Sequence, residues 1–582
     1  MHVLLLQGLQ SLLAVAILSP LLVLAKVYQH AAELDPTVQF DFIVIGSGPG
    51  GSTVASRLSE DPKFNVLLIE AGGDNEGILD LSVPSFILNF PPAYRWNYTI
   101  TPSPAIANRT IEYMRGRVLG GSSSINGMIY SRGSADDYNS YARISGDNGW
   151  SWDSLLPYIK KNERYVAPTS GRNTSGEYDV RYHGLKGELQ VSQPPLETTG
   201  YDKRCLDVTR AQAEFPFLTD MNSGRPIGLA QLIYSREAWQ QSTIGNGERN
   251  SAAVAFLNPT VRKRTNLSIL LNTHVTRILE TKTNGTSKTP LLRTVEFGDH
   301  TTRRVVGKLT AAKEVILSAG VVGSAHILLN SGIGDKHELG ALGIIPVTHI
   351  PDVGKKMSEH PGADIYFSAE RFEGIPPFDQ NTALKQWITD RTGPLSETPH
   401  RLLLWSRLPK SSPLWRNYAD PSSGPDAPHF EIILLAGGSI ALRSPDPFDD
   451  PLIDDGLLKT SYDLEAMKEG FRLAKRFFSG HPWDNYLVNA SFADPDTMSP
   501  YQWEAALRNG VKTNYHGVGT AAMSKKGAQG GVVDPDLKVK GIRGVRVVDA
   551  SVIPYVPAGH TQVPVYIFSE RASDLIKAAW RS

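Results

Sequence analysis

The chain is 582 residues long with a mass of 63.6 kDa, beyond the roughly 250–300 residues at which one hydrophobic core stops growing, so more than one domain is expected. Hydrophobic residues make up 41% and charged residues 20%, which excludes a largely disordered chain. Lys+Arg and Asp+Glu tie at 59 each, which excludes a uniformly basic chain that coats nucleic acid; the single cysteine, Cys205, excludes an intrachain disulfide and a cysteine-rich metal site.

At the N-terminus, Val3 to Ala25 is almost continuously apolar, broken by Gln7, Gly8, Gln10, Ser11 and Pro20. Residues 1–25 read as a signal peptide, with the small residues Val23 and Ala25 before a cut near Lys26. An uncleaved membrane anchor is the alternative, weakened by the polar interruptions and Pro20. Six Asn-X-Ser/Thr sequons fit export: Asn97, Asn108, Asn173, Asn266, Asn284 and Asn489. The expectation is a secreted glycoprotein with no stable membrane insertion and no nucleic-acid partner.

Phe40 to Ile45 predicts a buried strand, and Gly46-Ser-Gly-Pro-Gly-Gly51 follows it directly into a helical segment ending near Leu58. Asn65 to Glu70 predicts a second strand that ends in a carboxylate. Together they form a β-α-β dinucleotide-binding unit. Gly46 permits the tight turn, Gly48 lets the backbone approach a pyrophosphate, and Gly51 allows close helix–strand packing. Free amides and the dipole at the helix start favour the phosphate charge. Glu70, 19 residues beyond Gly51, is expected to accept from both ribose hydroxyls, which leaves FAD or NAD.

Arg115 to Met128 is a second glycine- and serine-rich stretch, expected to lie flat against a ligand. With Gly120-Gly-Ser-Ser-Ser-Ile-Asn126, Ser318 to Gly334, Asn514 to Met523 and Val533 to Asp536 through His560-Thr-Gln562, the chain resembles the glucose–methanol–choline (GMC) family of FAD-dependent oxidoreductases from about residue 39 to 582. The resemblance selects FAD over NAD. It implies an α/β fold: a Rossmann-like FAD-binding domain with a discontinuous α+β substrate domain on an antiparallel sheet. It also implies cofactor contacts at Gly121, Ser122, Asn126, Asp549 and Thr561, and at Val275, whose backbone would meet adenine. The C-terminal part most resembles aryl-alcohol oxidases and pyranose dehydrogenases, which place two histidines where this chain has His516 and His560. Ile125 stands where flavin-linking relatives carry histidine, so FAD is expected to be noncovalent. Gly127 replaces an aromatic residue that aryl-alcohol oxidases place over the substrate channel.

His516 lies in a loop with Gly, Thr and Asn, and His560 follows the predicted strand Val545–Asp549, at the strand end where α/β folds place ligands. Apolar spacing after it predicts a helix through Ala579, with its N-terminus near Gln562. Imidazole suits removal of an alcohol proton near neutral pH. The expected roles are His516 as base, His560 as the donor that positions the substrate oxygen, and hydride transfer to flavin with O2 or a quinone as acceptor. The expected substrate is an aryl or allylic alcohol or related metabolite. A sugar, or a non-redox lyase or cyclase with FAD as scaffold, are the alternatives. The scattered motifs place the FAD-binding domain at 38–165, 230–345 and 515–582. The substrate domain takes 166–229 and 346–514, with strands at Ala363–Ser368 and His429–Leu434.

Overall fold

The structure, a computed structural model, describes residues 26–35, 37–87, 90–227, 235–282, 287–371, 373–398, 401–431, 436–441, 444–491 and 493–581. The expected signal segment 1–25 and the sequon at Asn284 lie outside the described residues.

Runs such as Phe42-Ile-Val-Ile45 and Val66-Leu-Leu-Ile69 have no polar face, and such strands are stable only when both faces are covered. They form the centre of a six-stranded parallel sheet: β1 (Lys26–Tyr28), β2 (Phe42–Ile45), β3 (Val66–Ile69), β4 (Leu267–Leu270), β5 (Glu314–Leu317) and β6 (Val545–Val547). The spatial order is β1-β4-β3-β2-β5-β6, with Phe42 opposite Val66 and Glu314, and Leu317 opposite Val547. The sheet therefore unites strands from distant parts of the chain.

Helix α1 (Pro49–Leu58) links β2 to β3, α2 (Gly320–Asn330) follows β5, and α3 (Gln562–Ala579) packs against α1. Arg57 of α1 holds Glu570 of α3 and Glu188, each at 2.7 Å. Trp150 stacks on Phe568 with ring centroids 4.4 Å apart, and both Trp150 and Trp152 are buried in the main core. Cys205 is buried as well.

A second, five-stranded sheet runs Met357–Glu359, Ala436–Ala441, Leu452–Asp454, Thr99–Ile100, Ile111–Glu112. Its pairings are antiparallel except for Ile453 with Ile100, so the sheet is mixed. The strand expected at Ala363–Ser368 appears as Tyr366–Ala369 and pairs with Leu487–Ser491 in a separate ribbon. Phe430 makes only a bridge to Ser406, and residues 432–435 lie outside the described residues. Among the described residues, no helix is long and apolar enough to cross a membrane.

Candidate active site

A cavity of about 590 Å³ opens at the carboxyl ends of β2, β3 and β5, where Ile45, Ile69 and Ser318 reach its wall. Gly46 begins the turn at φ +91°, and a Cβ there would lie 2.5 Å from the Ser318 oxygen, so only glycine fits. A Cβ on Gly51 would lie 1.8 Å from the Gly46 oxygen, which is the close helix–strand contact expected of it. Gly48 caps α1 without a side-chain hydrogen bond, and a Cβ there would meet nothing within 4 Å. The first amides of α1 are thus open toward a phosphate. Gly121 lies against this loop: its Cβ would come 2.8 Å from the Gly48 Cα, so the two glycine stretches close on each other. Ser122 also lines the cavity, and its hydroxyl accepts from the Gly116 amide at 3.1 Å.

Three acids border the cavity, Glu70, Asp549 and Glu431. Glu70 accepts from the Ser47 amide at 3.0 Å, the Ser47 hydroxyl at 2.6 Å and the Gly72 amide at 2.9 Å. Burial pushes its carboxyl above the usual range against the pull of these hydrogen bonds. Glu70 therefore pins the glycine loop, a task its position in the sequence did not reveal. Asp549 is held by four donors, the Gly320 amide and Ser324 hydroxyl on one oxygen and the Ser551 amide and hydroxyl on the other, at 2.5–2.9 Å. It ties the start of α2 to the end of β6.

Val275 lines the same end of the cavity, beside Trp96, His274 and His326. Sequence reasoning missed these three rings. Burial pushes the His326 imidazole down to about 4, and burial with the nearby His300 and His326 takes His274 to about 3. The rings there are neutral, and the Arg117 guanidinium lies 5.6 Å from the centre of the Trp96 ring.

His516 and His560 meet with ring centroids 4.5 Å apart, both on the cavity wall. Tyr515 precedes His516 at φ +62°, an uncommon left-handed conformation for a side chain of that size. Burial, then the neighbouring His560, His360 and Arg115, hold the His516 imidazole well below its usual value. Nε2 of His560 lies 3.0 Å from Oε1 of Glu431, a partner that no sequence motif singles out. Asn126 Nδ2 donates to Gln562 Oε1, and Asn126 Oδ1 accepts from Arg249 Nη1 at 3.0 Å. Thr561 caps α3 without a side-chain hydrogen bond, so that helix also presents an open N-terminus to the cavity. Ile125 lines the cavity and packs with Leu81, Phe90 and Val118, which places no nucleophile there.

This donor set fits FAD. An open helix start and two glycine loops suit the pyrophosphate, Glu70 and the aromatic end suit the adenosine, and the second open helix start suits an anionic ring system. Among the described residues, no cluster of metal ligands is present. Of the residues expected to hold cofactor or substrate, all but Gly51 line this one cavity, and Gly51 packs behind it; Asn97, Asn108, Asn173 and Asn266 do not line it.

Models of the GMC oxidoreductase family match residues 40–362 and 435–569. The chain is 40% identical to pyranose dehydrogenase 3 of Leucoagaricus meleagris, an alignment that covers 96% of each chain. Among solved structures, it is similar to an FAD-dependent oxidoreductase from Chaetomium thermophilum, with a TM-score of 0.80 and 25% identity over 93% of this chain and 100% of that one. A fungal aryl-alcohol oxidase shares the fold at a TM-score of 0.78 and 23% identity, over 94% of this chain and 100% of that one.

Proposed function

Because the chain belongs to the GMC oxidoreductase family, we propose that it oxidises the CH–OH group of a small-molecule alcohol with noncovalent FAD, using His516 as base and His560 to hold the substrate oxygen. The observation that carries this reading is the meeting of the two imidazoles on the wall of a cavity that the glycine loops also line. His516 is neutral at neutral pH because burial disfavours its charge, so it has a lone pair for the hydroxyl proton. Glu431 fixes the His560 ring through Nε2 and so orients the group that holds the oxygen. FAD, when bound, supplies the two-electron acceptor. The open start of α3 would stabilise negative charge that builds up beside it.

Noncovalent binding is supported by Ile125, whose hydrocarbon side chain has no atom able to form a bond to flavin. Export with glycosylation is supported by the apolar segment at 1–25 and the sequons. A sugar is the second reading of the substrate. The identity to a pyranose dehydrogenase favours it, and so does Gly127, where a Cβ would meet nothing within 4 Å and the wall is open.

The test is an anaerobic panel of benzylic and allylic alcohols and pyranoses, scored by bleaching of the flavin band near 450 nm (roughly the usual position for this cofactor). At least one donor should bleach the flavin in the parent enzyme, and His516→Ala should slow that reduction by about 10²–10⁴-fold while FAD is retained. An enzyme that turned a substrate over with its flavin still oxidised would instead be the non-redox lyase.

A further inference from the structure

His516 has a partner behind it. Its Nδ1 lies 2.9 Å from Nδ1 of His360, and the two rings stand at 86° to each other. His360 is buried and directly follows the strand Met357–Glu359. Glu359 clamps both residues by the backbone: its Oε1 accepts from the His360 and His516 amides, each at 2.7 Å. Its Oε2 accepts from the hydroxyls of Tyr113 at 2.9 Å and Thr513 at 3.1 Å. The approach of the two imidazoles is therefore set by main chain and a buried carboxylate, not by a freely turning side chain.

Two ring nitrogens this close share one hydrogen, because two lone pairs or two N–H groups would repel. The surroundings decide which ring holds it. Burial, with the nearby His560, pushes His360 down to about 3, and His516 is also far below its usual value, so each ring is neutral and carries one hydrogen. The Pro557 carbonyl, which can only accept, acts on His360 to raise its pKa against the effect of burial. With Nδ1 of His360 facing His516, a hydrogen held toward that carbonyl sits on Nε2 and leaves Nδ1 of His360 bare. The shared hydrogen then belongs to Nδ1 of His516, and Nε2 of His516 has the free lone pair.

We propose that His360 is a positioning residue that locks His516 in its Nδ1–H tautomer and so makes Nε2 the atom that takes the alcohol proton. This rests on the reading of His516 as base. In the proton transfer, the substrate O–H bond breaks and an N–H bond forms at Nε2. The imidazolium then directs its Nδ1–H at the bare nitrogen of His360, a charge-assisted hydrogen bond. A carboxylate in this place would hold the same tautomer but would raise the basicity of the ring. A neutral imidazole holds the tautomer and leaves His516 unprotonated under mildly acidic conditions.

The experiment uses FAD-loaded enzyme and a donor that bleaches the parent in anaerobic stopped flow. His360→Leu keeps bulk but offers no acceptor, whereas His360→Asn places an amide oxygen near the position of Nδ1. Flavin reduction in His360→Leu should fall by between about 10- and 10⁴-fold, the range seen when a tautomer-setting partner is lost, with FAD content unchanged. His360→Asn should recover most of that loss. In ¹⁵N-histidine spectra of the substrate-free holoenzyme, the His516 signals, assigned by their absence in His516→Ala, should show a protonated Nδ1 in the parent and in His360→Asn, and a mixed state in His360→Leu. A protonated Nε2 in the parent, or parental reduction rates in a fully FAD-loaded His360→Leu, overturns the proposal. His516→Ala reports separately on the base: if it alone reduces at the parental rate, the assignment of His516 has failed, and if only His360→Leu does, His516 stands and the tautomer lock falls.

Discussion

In the proposed reaction, single side chains act through what lies behind them. His560 touches the cavity, but Glu431, 8% exposed, decides how its ring is turned. Glu431→Leu leaves Nε2 of His560 without its acceptor and frees the ring to rotate. Reduction by a turned-over donor should slow by about 10–100-fold, the usual cost of losing a partner that orients a functional histidine, and substrate should bind more weakly. FAD content should not change, since Glu431 bonds to His560 and not to the glycine loops. Stopped-flow reduction as a function of donor concentration separates the rate from the binding, and a parental value for both would show that Glu431 has no such role. Glu431 was not legible in sequence because its partner is fixed by a crossing between segments 129 positions apart, with no local spacing to betray it.

At the scale of an element, the connection from α1 to β3 is closed by a residue from outside it. Asn266, just before β4, donates through Nδ2 to the carbonyls of Ser59, Asp61 and Phe64 at 3.2, 3.0 and 2.9 Å. A glycan on that nitrogen would leave these carbonyls short of a donor and push sugar between two chain segments. Asn97, Asn108 and Asn173 are exposed instead. Glycopeptide mapping of protein made in a glycosylating host should therefore find sugar among these three and an unmodified Asn266. A folded, flavin-loaded protein with full occupancy at Asn266 would contradict the geometry. The sequence motif alone treats all of these sites alike; only the fold shows which amide is already engaged.

Across the whole molecule, a buried ionic knot joins segments that the sequence keeps apart. Arg132 meets Glu163 at 2.6 Å, and His183 sits between Glu163 at 2.6 Å and Asp220 at 2.8 Å, all of them buried. Burial alone would lower the His183 pKa, but hydrogen bonds to Asp220 and Glu163, with the Glu163 charge, outweigh it and leave it above the usual imidazole value. Burial acts to raise Asp220, yet His183 holds it below the usual carboxylate range. The signs give a window. The His183 contribution is complete below the unfolded value of about 6.5 and is lost as pH rises through the raised folded value; that of Asp220 is lost as pH falls through its lowered one. His183→Gln should therefore lower the melting temperature most in mildly acidic buffer, and its deficit should shrink as pH rises. Breaking a buried pair of this kind costs about 3–5 kcal/mol. Thermal unfolding of parent and variant across pH reads this directly, and a deficit that did not change with pH would show that His183 is neutral in the fold.

The sequence by itself determined the parts whose physics is local. The run Phe42–Ile45, the glycines after it, and the acid closing Val66–Ile69 dictate a parallel unit with a phosphate cradle, because an apolar run, a φ of +91° and an uncapped helix start are properties of short segments. The motif resemblance likewise brought His516 and His560 into view. Tertiary structure decided everything that depends on which distant segments touch. It placed Gly121 against Gly48, gave Glu70 the loop to pin, set Glu431 against His560, and brought His360 to His516. It also made one strand pairing of the second sheet parallel, between Ile100 and Ile453, since long-range register answers to the packing of two layers and leaves no periodic trace in either strand.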